Sequence, residues 1–150
     1  MARFFSLILL VAVLSLIQSL GFSIFGVKPN LALVAVVATS FFTGGILEIF
    51  LFSALAALIL KFAPAPGAES AVFLAVSILA GIIGRRLPWH KIINGLAAVL
   101  LSVFAFYAFT KIQFIPSLFF WKELVLDLVF GGLIFYFVSL YGKMGKKDYD

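Results

Sequence analysis

Long apolar runs alternate along the chain with short polar or glycine–proline breaks. A bilayer crossing needs about 20 apolar residues at a rise of about 1.5 Å each. The first run covers residues 4–25. Arg3 before it resembles the basic start of a signal peptide, but the run is longer than a signal core and no Ala-x-Ala site follows, so a retained helix is expected. Gly26 to Pro29 breaks it. Pro29 suits the first turn of a second helix, 30–43, where a missing N–H does no harm. Gly44 and Gly45 supply the backbone freedom of a tight turn, and a third helix follows over 45–62. One helix over 30–62 would be about 50 Å long, too long for a core of about 30 Å. Two short crossings can be accommodated by local thinning of the bilayer. The stretch APAPGAES (63–70) is a loop by its prolines and glycine. Helices are then expected at 70–87, 92–110 and 121–141. They are separated by the basic loop RRLPWHK and the aromatic stretch KIQFIPSLFFWK, and a polar cytoplasmic tail follows at 142–150. The pattern predicts one all-α domain, a polytopic integral membrane bundle of six helices. The alternative is five, with 30–62 forming one crossing and a re-entrant piece.

Composition narrows this further. The 150 residues are 65% hydrophobic and 11% charged, against about 45–50% and 25% in soluble domains. A soluble domain of this length has too little volume to hide so much apolar surface. The absence of Cys and the single His, His90, argue against disulfides, thiolate chemistry and metal centres. No cofactor is expected. A net charge of +5 is better explained by Lys and Arg near anionic headgroups than by nucleic acid.

The basic residues also set an orientation. With six crossings and the N-terminus inside, Arg3, Arg85, Arg86, Lys91, Lys143, Lys146 and Lys147 fall in the cytoplasm. Lys28, Lys61, Lys111 and Lys122 fall outside. This satisfies the positive-inside bias and places both termini in the cytoplasm. Five helices would force one basic cluster outside.

Three acids interrupt the apolar runs. Glu48 stands in the first turn of the third helix, where free N–H groups and the helix dipole favour an anion. Its functional alternative is a buried pairing with Arg85 or Arg86. Glu123 and Asp127 are four apart and share one face of the last helix. Glu123 is expected to be wet at the interface. Asp127 lies deeper and is expected to face protein or a water-filled cavity, as a structural hydrogen-bonding group or as an ion-relay or substrate counter-ion. Gln18 and Asn94 can bond across helices. Gly44, Gly45, Ser53, Ala57, Gly131 and Gly132 are candidate packing positions, as are Ala71 and Ala75, because small side chains let helix backbones approach. No phosphate loop, nucleophile elbow or zinc motif occurs, so an enzyme is not expected.

The layout carries a resemblance. A first helix and short break lead to KPNLALVAVV (28–37). A glycine-containing link, a small-residue-rich helix, a Pro/Gly loop and LAGIIGRRL (79–87) follow. This resembles the bacterial rod-shape-determining MreD family. Pro29, Asn30 and Leu31 match its Pro-Asn-Leu opening of the second helix, and Gly81, Gly84, Arg85 and Arg86 match its glycine-rich helix with a basic end. The acid that members often carry at the end of the third helix is absent here, where Lys61 stands. The resemblance implies a non-enzymatic scaffold in the bacterial cytoplasmic membrane, within the complex for lateral cell-wall synthesis. It would bind an MreC-like single-span partner near MreB and the cell-wall synthases. The family is similar in architecture to substrate-binding subunits of energy-coupling-factor vitamin transporters, which makes a small-molecule binder the second reading. A small ion-coupled transporter, resting on Glu48 and Asp127, is the third.

Overall fold

The computed structural model describes residues 2–60 and 67–144. Lys61, most of the expected 63–70 loop and residues 145–150 of the expected tail lie outside the described residues. Among the described residues six α-helices occur, in the order α1 (Ala2–Ser19), α2 (Leu31–Ser40), α3 (Ile46–Leu60), α4 (Ala68–Arg86), α5 (Lys91–Thr110) and α6 (Leu118–Met144). A 3₁₀ turn, Ile112–Phe114, links the last two. Three helical stretches, Ala68–Arg86, Lys91–Thr110 and Leu118–Leu140, are long and apolar enough to cross a membrane. The other three helices are apolar but shorter.

Three expected elements differ from the structure. The first helix stops at Ser19 rather than continuing to 25. Gly21, Phe25 and Gly26 adopt φ values of 83°, 53° and 77°, which no right-handed helix accommodates. The second helix is only 10 residues long, about 15 Å, or half of a bilayer core. At the C-terminal end, α6 starts before residue 121, where the Ser117 hydroxyl accepts the Phe120 N–H at 3.2 Å. It also continues beyond 141 to Met144.

Every residue of α2 is buried, and α2 packs against all five of the other helices. Its sequence, LALVAVVATS, explains this. A helix that is apolar all round has no face for water, and small or β-branched side chains leave room for close neighbours. Glycines on the outer helices fit around it. A Cβ on Gly81 would lie 2.9 Å from the Ser40 hydroxyl, and one on Gly84 would lie 2.9 Å from the Ala98 Cβ while also meeting the Phe41 ring. Gly95 is closed off by the Phe135 ring, and Gly131 faces Val99 and Val34. Phe135 in turn meets Phe41 edge-on, with centroids 5.2 Å apart.

Other expected packing positions divide. Ser53 accepts a hydrogen bond from Ser77 at 2.8 Å, tying α3 to α4. Ala57 packs on the core, and Gly132 makes ordinary contact with Leu96. Ala71 and Ala75 are exposed. Gly44 and Gly45 serve no helix contact: a Cβ on Gly45 would meet nothing within 4 Å, and one on Gly44 would meet Glu48 in its own turn. Their role is in the α2–α3 turn.

Candidate functional site

A helix that begins inside a bundle has a difficulty at its start. Its first N–H groups lack helical partners, and water is not there to replace them. At the start of α2 three side chains supply the acceptors. Asp127 Oδ1, on α6, accepts the backbone N–H of Asn30 at 2.8 Å. Gln18 Oε1, on α1, accepts that of Ala32 at 2.7 Å. Asn30 caps the helix itself, its Oδ1 accepting the Leu33 N–H at 3.4 Å. The Gln18 amide also donates to Asn30 Oδ1 at 3.4 Å, so the three side chains form one network.

Asp127 is fully buried. Its placement answers why an acid sits in an apolar helix. A carboxylate at a helix start meets both the free N–H groups and the positive end of the dipole. Its second oxygen, Oδ2, is buried with no hydrogen-bond partner among the described residues. Asn30, from the family-like Pro29–Asn30–Leu31 segment, and Asp127 are thus brought together from positions 97 apart. Pro29 and Leu31 are buried beside them.

Glu123 departs from expectation. It is 8% exposed rather than wet, because Tyr107 on α5 covers it and donates its hydroxyl to Glu123 Oε2. Phe120 packs edge-on to Tyr107, with centroids 5.1 Å apart. Beyond this pair, at the rim, Lys111 and Glu69 lie 4.0 Å apart. A polar path of ion pair, Glu123–Tyr107 and Asp127–Asn30–Gln18 therefore enters the bundle from the α5–α6 link.

Glu48 lies apart from this path, in the first turn of α3. Its Oε2 accepts the Gly44 N–H at 2.9 Å. The alternative pairing with Arg85 or Arg86 is not formed: Arg85 donates instead to the Thr43 hydroxyl, and Arg86 is exposed. Gly81 and Gly84 sit close against Ser40 and Phe41 at the end of α2.

Tyr107 was not evident from sequence, nor was the sharing of Gln18 between helix and cap. A tyrosine among aromatics has no periodic signature; only the contact with Glu123 marks it out. Among the described residues no group of three His, Cys, Asp or Glu side chains is placed to hold a metal ion. What the arrangement can do is hold one short helix by its N–H groups, and present one free carboxylate oxygen within the bundle. No family model, curated protein or solved structure matches this chain.

Proposed function

We propose that this chain is a non-enzymatic membrane scaffold, an MreD-like subunit of the complex for lateral cell-wall synthesis. It docks the helix of an MreC-like single-span protein. Six helices with both termini cytoplasmic, in the bacterial inner membrane, complete the reading. The observation that carries it is the outer face of α4 and α5. Between them runs an apolar groove of about 200 Å³. Its floor holds Ala80, Gly84, Ala98, Ser102 and Ala105, and Leu79, Ile83 and Leu101 rise at its edges. Small residues between larger ones let a helix backbone come close in lipid, where packing rather than water drives association. The family-like segments support the same reading, since both flank α2 and fix the bundle that presents this groove.

Photocrosslinking residues placed at Leu79, Ile83 and Leu101 test it. With a co-expressed MreC-like partner, adducts are expected at these positions and not at Phe5 or Leu9 on α1. Adducts at neither face, or equally at both, would reject the docking surface. Co-purification of the partner should survive Asp127→Asn.

A second reading, a small ion-coupled transporter, is favoured by the unpartnered Oδ2 of Asp127. It requires Asp127→Asn to abolish ion-driven flux in vesicles. The vitamin-type binder finds less support, because α2 fills the centre of the bundle.

A further inference from the structure

Cations from three helices converge on the α2–α3 turn, at the end of the bundle away from Asp127. Lys91 Nζ, at the start of α5, lies 4.1 Å from the centroid of the Phe42 ring. Arg3 Cζ, at the start of α1, lies 5.9 Å from the same centroid. Arg85, at the end of α4, donates to the hydroxyl of Thr43, the next residue along. All three cations are exposed. Among the described residues none has a carboxylate within 4.0 Å. Glu48, the acid of this turn, is engaged by the Gly44 N–H.

Like charges held around one turn repel, and an anion bound among them relieves that repulsion. The Phe42 ring face orients two of the cations. Guanidinium groups match phosphate oxygens in pairs, while an ammonium adds a point charge. The surroundings identify how such an anion arrives. Trp89, Ile92 and Ile93 are exposed beside the cations, giving an apolar and aromatic rim of the kind that sits at headgroup level. We infer that Arg3, Arg85 and Lys91 form a binding site for the phosphate of an anionic phospholipid, with the acyl chains lying along the adjoining apolar surface. Basic pockets between transmembrane helices recognise acidic headgroups in this manner. The inference does not rest on the scaffold reading, because lipid retention is measured on the isolated chain.

The test is native mass spectrometry of the full chain in neutral detergent, titrated with phosphatidylglycerol or with phosphatidylcholine of the same acyl chains. Wild type should retain phosphatidylglycerol roughly a hundredfold better, about fivefold for each cation. The triple variant Arg3→Gln/Arg85→Gln/Lys91→Gln should lose that preference, while Lys28→Gln/Lys122→Gln should keep it. Raising NaCl from about 0.05 to 0.5 M should erode the wild-type preference, a readout that needs no variant to fold. A folded triple variant with undiminished preference would overturn the site. So would equal loss in the Lys28/Lys122 control, or a wild-type preference unmoved by salt. Abolition of lipid retention by millimolar inorganic phosphate alone would assign the site to a soluble anion and overturn the lipid.

Discussion

The two ends of α2 are held in opposite ways. At its start, backbone N–H groups are satisfied by Gln18 and Asp127, 14 and 97 positions from their partners. At its end, carbonyls are satisfied by hydroxyls close in sequence. Thr39 donates to Ala35 at 2.7 Å, Ser40 to Val37 at 2.6 Å and Thr43 to Ser40 at 2.8 Å. The start depends on helices arriving from elsewhere, and the end on its own residues plus glycines that let α4 close in. The start therefore couples α1, α2 and α6 into one unit, whereas the end needs only space. Charge divides with this: acids are buried near the start, and exposed cations ring the end.

Substitutions can break this contrast one end at a time, with stability read as reversible unfolding in mixed micelles. The largest effect is expected at the packed end. Gly84→Leu would drive a side chain into Phe41 and Ala98 and should cost about 3 kcal/mol. At the start, Asp127→Ala orphans the buried Asn30 N–H and should cost roughly 2 kcal/mol. Asp127→Asn keeps an oxygen acceptor and should restore most of that loss. Gln18→Leu should cost about 1 kcal/mol, in line with polar contacts between membrane helices. Smallest is Ser40→Ala, which removes a hydroxyl bonded within its own turn; a change within about 0.5 kcal/mol is expected. Equal costs for Gln18→Leu and Ser40→Ala would erase the distinction between distant and local capping.

The same contrast explains what could be read from the chain. Six helical segments were legible because apolar runs and Gly/Pro breaks are local signals. The α2–α3 turn at Gly44 and Gly45 was legible for the same reason. The early stop of α1 was not: residues 20–25 remain apolar, and Gly21 alone does not announce three positive φ values. Nor was the half-length of α2 apparent, since Phe41 and Phe42 continue the apolar run past its last turn. At the site, Asp127 stood out as an acid without a loop, but its partner Asn30 lies 97 residues away and no spacing rule connects them. Glu123 was misread because depth was counted along α6 alone. Tyr107, which buries it, comes from another helix.

In this structure α2 is an enclosed helix pinned at its start by Asp127. Hydrogen exchange of the purified chain in micelles tests it most directly. In wild type, the amides of residues 31–40 should be among the slowest to exchange. Asp127→Ala should speed exchange at Asn30 to Leu33 while leaving residues 37–40 protected. Rapid exchange across α2 in wild type, or acceleration spread evenly along it in the variant, would contradict the account.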